Sequence, residues 1–345
     1  MTTGGSAMTY RRIATEEAWA PAEMLKMWRD LIRKGSIDDP GFNSLWGFFL
    51  ESDLGYTNTI VERLQDLGER RISDMDASGI DLQLLLLTAP GVQVFDQATA
   101  NSIAATSNDQ LADAIRRYPD RFAGLAAIAP QDPAGAAKEL QRATNRLGLK
   151  GAVINSHTNG EYLDDPKYWD IFEAAEALDV PIYIHPQTPP RDMIQPFLKR
   201  NLDGAIMGFA VEVAFHTLAL IVSGVFDRFP NLKIVIGHAG EGLPFWLFRM
   251  DHMQDVVLGN KGENRLQMKI SDYMKRNIYV TTSGMAWEPA ILFIQSVLGM
   301  DRVLYAMDYP YQYVPDEVRV TDNLPISNAD KKRLYETNAV ELFRL

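Results

Sequence analysis

"KIVIGHAGEG" (residues 233–242) couples a short β-branched run to a histidine and a glycine-rich turn. Such a run reads as a buried strand with a polar residue just past its carboxyl end. The pattern recurs in "PIYIHPQTPP" (181–190), which ends its apolar run in His185, and in "VLYAMDYPYQY" (303–313), where Asp308 follows the run. In "RRIATEEAWA" (11–20), Ile13 and Ala14 lead into Glu16 and Glu17. Working outward, eight runs rich in Val, Ile and Leu can be traced, at 12–15, 82–87, 122–128, 152–154, 182–184, 234–236, 278–281 and 303–306. Longer segments with helical spacing lie between them. In "TIVERLQDLGERRI" (59–72), Ile60, Val61, Leu64 and Leu67 fall on one helical face. Asp132-Pro133 and Asp165-Pro166 each place a capping acid before a proline suited to a first turn, and Gly148 is placed to end the helix of Leu140, Ala143 and Leu147. Strands alternating with helices pair in parallel, so the expected architecture is an α/β (β/α)8 TIM barrel. It is read as one domain, 1–345, with a flexible tail at 1–10. Two long connections, 35–57 and 186–205, are expected to form functional loops on the catalytic face.

The net charge of −11, with no cluster of Lys or Arg, argues against nucleic-acid and membrane-surface partners and for a small molecule. With no cysteine, there can be no disulfide and no thiolate nucleophile, and any metal must be held by oxygen and imidazole. The start "MTTGGSAMTYRR" has no apolar segment of signal-peptide type, and no run reaches membrane-span length, which points to the cytoplasm.

In a barrel of this kind, active sites are built at the carboxyl ends of the strands. A lone histidine behind an apolar run is more often a hydrogen-bonded core residue than a ligand, and an acidic pair is more often a solvated turn. Glu16, His185, His238 and Asp308 at one rim are a different matter, because together they offer a donor set for a divalent ion.

"IATEEAWA" (13–20), "IHPQTPP" (184–190), "GHAGEGLPFWLFRMD" (237–251) and "YAMDYPYQY" (305–313) resemble the amidohydrolase superfamily. The likeness is to its non-oxidative arylcarboxylate decarboxylase branch, whose members act on 5-carboxyvanillate, γ-resorcylate and 2,3-dihydroxybenzoate. Hydrolases of the superfamily open with His-x-His on strand one; here those positions are Glu16 and Ala18, which fits the decarboxylases. The resemblance implies Glu16, His185 and Asp308 as metal ligands. Manganese is the first expectation for two carboxylates and one imidazole, with zinc or magnesium as alternatives. It further implies decarboxylation of an ortho-hydroxy, or ortho-methoxy/hydroxy, aromatic acid to the phenol and CO2 by a homodimer or homotetramer. In that chemistry Asp308 is the proton donor.

The three-residue spacing of His238 and Glu241 allows a carboxylate to orient an imidazole. Arg249 would clamp a substrate carboxylate, and Tyr311, Thr88 and Asn155 are further candidates to line the pocket. His157 is a turn former or a rim residue, while His216 and His252 are assigned to structure. If strand one persists, Glu17 faces away from Glu16. One departure bears on substrate. Where carboxyvanillate decarboxylases carry an arginine before the helix at 59–72, this chain reads "ESDLGYTNTIVERL" (51–64), with Tyr56 near that position. A substrate with a single carboxylate is therefore expected. The rival readings are a metal-dependent lactone or amide hydrolase on the same barrel, and a non-catalytic binding protein.

Overall fold

In the computed structural model, which describes residues 10–259 and 266–345, short parallel strands form the centre of the chain. They are β1 (Ile13–Trp19), β2 (Leu82–Leu87), β3 (Phe122–Gly124), β4 (Ala126–Ala127), β5 (Ala152–Ile154), β6 (Ile182–Ile184), β7 (Ile234–Ile236), β8 (Ile278–Thr281) and β9 (Val303–Leu304). Regular ladders join β1-β2-β3 and β4 through β9. Only Leu125 separates β3 from β4, and its N–H donates to Leu85 O at 2.9 Å, so the two pieces are one interrupted strand and the strands among the described residues number eight. Between β9 and β1 the ring is joined by single hydrogen bonds, Thr15 N to Tyr305 O (2.9 Å) and Ala18 N to Tyr309 O (2.7 Å), rather than by a ladder. Helices cover the outside, and one apolar cluster runs from Ile13 on β1 to Phe343 near the carboxyl terminus. This is the (β/α)8 order. No helix among the described residues is long and apolar enough to cross a membrane.

Several local expectations need correction. Strand β1 runs on to Trp19, with every residue buried, so Glu16 and Glu17 lie within it and not at its end. Its register against β2 shifts between Ala14 and Glu17. Such bulges re-aim side chains beside active sites. The helix expected over 59–72 is two helices, Gly55–Gln65 and Glu69–Ser78. Asp66 breaks it by accepting from the N–H groups of Gly68 (2.9 Å) and Arg71 (3.1 Å).

The connection 35–57 is largely a helix, Pro40–Glu51, whose cap Asp39 accepts from Gly41 N and Phe42 N. It evades a search for amphipathic spacing because Phe42, Leu45, Trp46, Phe48, Phe49 and Leu50 spread apolar character around it. The connection 186–205 likewise contains a helix, Arg191–Leu198. The caps at Asp132 and Asp165 and the left-handed stop at Gly148 form as read. Of the expected tail, Tyr10 stacks on Tyr335 with ring centroids 5.3 Å apart; residues 1–9 lie outside the described residues.

Candidate metal centre and substrate cavity

Glu16 is the hub of the rim. Its Oε2 accepts from Thr281 Oγ1 (2.7 Å) on β8 and from the Tyr183 hydroxyl on β6, which fixes the carboxylate across the barrel mouth. Its Oε1 is buried and has no hydrogen-bond partner. Two imidazoles face that atom: His185 Nε2 and His238 Nε2 each lie 3.6 Å from it. Gly237 leaves the room this needs, since a Cβ there would come within 2.9 Å of Glu16 Oε2. Asp308 completes the group, with ligand atoms of Glu16, His238 and Asp308 all within 4.8 Å of one another. Gly284, at φ +60, packs against the same residue, and a Cβ there would lie 3.3 Å from Asp308 Oδ2.

Buried polar atoms are nearly always satisfied, so an orphaned carboxylate oxygen facing two ring nitrogens marks a place shaped for a cation. His185 Nδ1 is a second orphan. The charge balance agrees. Burial, together with the nearby Glu16 and Glu241, raises the Asp308 carboxyl well above its ordinary range against the opposing pull of His238. Burial lowers His185 to about 4, leaving it a neutral imidazole suited to ligation. For His238, burial opposes the charge, but Glu241, Glu16 and Asp308 outweigh it and raise the ring to about 10. The surplus of negative charge is what a divalent ion would neutralise.

The turn after β7 brings His238 and Glu241 together. His238, Ala239, Gly240, Glu241 and Gly242 all have positive φ, and His238 Nδ1 meets Glu241 Oε1 at 2.6 Å. Backbone held in this region is a strain typical of functional sites.

A cavity of about 650 Å³ opens over this rim. Its floor includes His185, His238, Glu241 and Asp308; Thr88, Tyr56, Tyr311 and Gln312 add hydroxyl and amide groups. Thr88 Oγ1 and the Tyr311 hydroxyl are 2.5 Å apart, and Tyr56 donates to Tyr311 O at 3.3 Å. The far wall is apolar, with Leu45, Phe49, Ile206, Phe209 and Met285. Among the described residues lining it there is no Lys or Arg.

Two expected lining residues are elsewhere. Asn155 is buried beside the loop that Gln93 holds through Asn155 N (2.6 Å) and His157 O (2.8 Å), and it does not line the cavity. Arg249 is exposed on the helix Leu243–Met253 and does not line the cavity. His157 is buried and meets Thr188 O at 3.0 Å, and His216 is buried against Ser156 Oγ at 2.9 Å, while His252 is exposed. Tyr183 and Thr281 escaped notice in the sequence because they read as ordinary strand formers. Tyr183 does stand two residues before His185 and therefore shares its strand face.

A family model described as amidohydrolase matches residues 60–345. The γ-resorcylate decarboxylase of Polaromonas sp. (strain JS666) is 38% identical over 291 residues, which are 82% of this chain and 89% of that protein. Among solved structures, the 5-carboxyvanillate decarboxylase of Novosphingobium aromaticivorans, bound to manganese and 4-hydroxy-3-methoxy-5-nitrobenzoic acid, superposes with a TM-score of 0.96 at 50% identity, covering 99% of this chain and 98% of that one. A dihydroxybenzoic acid decarboxylase from Polaromonas sp. JS666, bound to manganese and 2-nitroresorcinol, superposes with a TM-score of 0.84 at 34% identity over 98% of each chain. Matched over most of its length and lying among relatives named as decarboxylases, this chain belongs to the amidohydrolase family, in its arylcarboxylate decarboxylase branch.

Proposed function

We propose that this chain removes CO2 from an ortho-hydroxybenzoate, or an ortho-methoxy/hydroxy analogue, with Glu16, His185 and Asp308 as metal ligands and the His238–Glu241 pair managing the proton. The observation that carries this reading is the orphaned Glu16 Oε1, faced by two imidazoles 3.6 Å away at the floor of a cavity of about 650 Å³, ample for a substituted aromatic ring. A divalent ion held by these residues, manganese before zinc or magnesium, would supply Lewis-acid chemistry at the cavity floor. Direct loss of CO2 would leave an aryl anion, so the ring carbon is protonated first. Asp308 gives its proton to the carbon that bears the carboxylate; the bond to CO2 then breaks and its electron pair restores the ring. His238, held at Nδ1 by Glu241, returns a proton to Asp308.

Substrate scope follows from the walls. A second carboxylate would enter without a cationic side chain to meet it, which is unfavourable in a desolvated pocket. Leu45, Phe49, Ile206, Phe209 and Met285 suit an apolar ring substituent, and the Thr88–Tyr311 hydroxyls suit one polar group. The substrate is a monocarboxylate.

The chain works as a single domain in the cytoplasm, as a homodimer or homotetramer. Support for association comes from Phe245 and Phe248, 70% and 90% exposed, beside exposed Trp246. To test the function, purified protein with Mn²⁺ is incubated with mono- and dicarboxylated ortho-hydroxybenzoates and with lactones. We expect CO2 and the phenol from monocarboxylates, abolished by chelation. Lactone hydrolysis without CO2 would refute the proposal.

A further inference from the structure

Glu17 is buried beside the metal centre and takes no part in the chemistry just described. It is turned away from the cavity, towards the segment after β9. There its two oxygens take different amides: Oε1 accepts from Met307 N at 2.9 Å and Oε2 from Tyr309 N at 3.1 Å. These are the residues on either side of Asp308. Asp308 itself has φ +60, in the left-handed region, although it carries a side chain. Aspartate tolerates that conformation better than most residues but still at a cost, so the surroundings must enforce it.

Because successive side chains of a strand point to opposite faces, the adjacent glutamates of β1 serve different surroundings, Glu16 at the rim and Glu17 at the chain beyond β9. Tyr309 is held as well: its carbonyl accepts from Ala18 N (2.7 Å), its hydroxyl donates to Asp74 Oδ2 (2.9 Å), and the Arg71 guanidinium lies 4.4 Å from its ring centroid. Beyond β9, which ends at Leu304, backbone pairing with β1 is reduced to a single bridge between Glu17 and Tyr309, so the carboxylate of Glu17 is what ties the Met307 and Tyr309 amides together.

We infer that Glu17 is a positioning residue for Asp308, its carboxylate bridging the amides of Met307 and Tyr309 so that the left-handed turn between them directs the Asp308 carboxylate at the metal site. The adjacent acids of β1 thus divide the work: one is a ligand, and the other shapes the backbone that presents a second ligand. The inference rests on Asp308 as a ligand.

Glu17→Gln keeps the volume but sets an NH2 group against one of the two amides. Such outer contacts typically change metal affinity or activity by about 10–100-fold. For Glu17→Gln we expect Mn²⁺ binding, read by titration calorimetry of the metal-free protein, to weaken at least tenfold. The electron paramagnetic resonance spectrum of bound Mn²⁺ should change, and kcat should fall by a larger factor than KM moves.

A purely structural loss is mimicked by Asn277→Ala, at the opposite end of β8, which removes buried bonds to Pro230 O (3.0 Å) and Leu232 O (2.8 Å). That control should lower Tm while leaving Mn²⁺ affinity within about twofold. Should Glu17→Gln not fold, replacing Tyr309 by its α-hydroxy acid analogue tests the clamp instead, since the ester deletes the N–H that Oε2 accepts and leaves every side chain unchanged; a several-fold weaker Mn²⁺ affinity is expected. Asp308→Ala separates the two ideas: parent-like Mn²⁺ affinity in that variant would sink the ligand assignment, while turnover of Glu17→Gln would still test the clamp. Parent-like affinity, spectrum and kcat in folded Glu17→Gln, or parent-like affinity and kcat in the ester variant, would overturn the inference.

Discussion

The rim at β1, β7 and β9 and the wall facing it across the cavity are built by different rules. At the rim, the charged groups are buried or half-buried and hydrogen bonds fix the chain that carries them: Thr281 and Tyr183 on Glu16, Glu241 on His238, and Glu17 on the amides flanking Asp308. The wall consists of helix-borne and loop residues such as Leu45, Phe49, Ile206 and Phe209, positioned by packing and partly open, with Ile206 75% exposed. The contrast teaches where each property resides. Chemistry needs donor atoms fixed closely in space, which strand ends and their hydrogen bonds provide; selectivity needs only a surface of suitable shape and polarity, which can change without disturbing the ions behind it.

The largest expected effect breaks the rim. Glu16→Ala removes the atom that faces both imidazoles, so metal analysis should fall from about one divalent ion per chain to none, and turnover should fall to that of chelated protein. Retained metal and activity would mean the hub has been misplaced. His238→Asn comes next: it should leave metal content intact and lower kcat by about 10²–10⁴-fold, the usual worth of a positioned acid or base. Loss of the metal in that variant would make His238 a ligand, which its 3.6 Å approach to Glu16 Oε1 permits geometrically.

On the wall side, Tyr56→Arg should narrow the preference for a monocarboxylate over its dicarboxylated analogue by about tenfold or more, as one hydrogen bond to a charged group contributes about 1.5–3 kcal/mol. The comparison of kcat/KM for both substrates on both proteins checks it. The smallest effect concerns Glu212, on the helix that also carries Phe209 and Ala210 of the wall. Burial raises its carboxyl to about 8, against the lowering by Ser156, His157 N–H and Tyr162. A folded-state value above the unfolded one favours the protonated form. The stability this gives is full below the unfolded value and is lost as pH rises through about 8. Glu212→Gln should therefore have a higher Tm than the parent near pH 8–9, with the difference closing towards pH 5 in parallel thermal melts.

The same contrast explains what the sequence discloses. A histidine or acid beside an apolar run stands out against its surroundings, so Glu16, His185, His238 and Asp308 are legible in the sequence alone. The barrel order was legible for the same reason. What stayed hidden depends on register and on three-dimensional approach. Glu17 looked idle because a strand's alternation says which way it faces and not what waits there. The helix Pro40–Glu51 passed for a loop because its apolar residues surround it, and Leu45 and Phe49 on that helix resemble any core residue until a cavity is seen beside them. Arg249 sits inside a recognisable motif yet points to solvent, since a motif conveys spacing and not exposure.

The central claim is that carbon, and not an acyl group, is the reacting centre, and that the metal-bound rim protonates it. The most direct measurement is the reaction of the Mn²⁺-loaded protein with a monocarboxylated ortho-hydroxybenzoate in D2O, followed by NMR of the ring and by CO2 release. We expect one deuterium at the carbon that lost the carboxylate, one CO2 per phenol formed, and neither after chelation. Deuterium-free phenol, CO2 release that survives chelation, or hydrolysis of a lactone with no ring labelling would contradict the account.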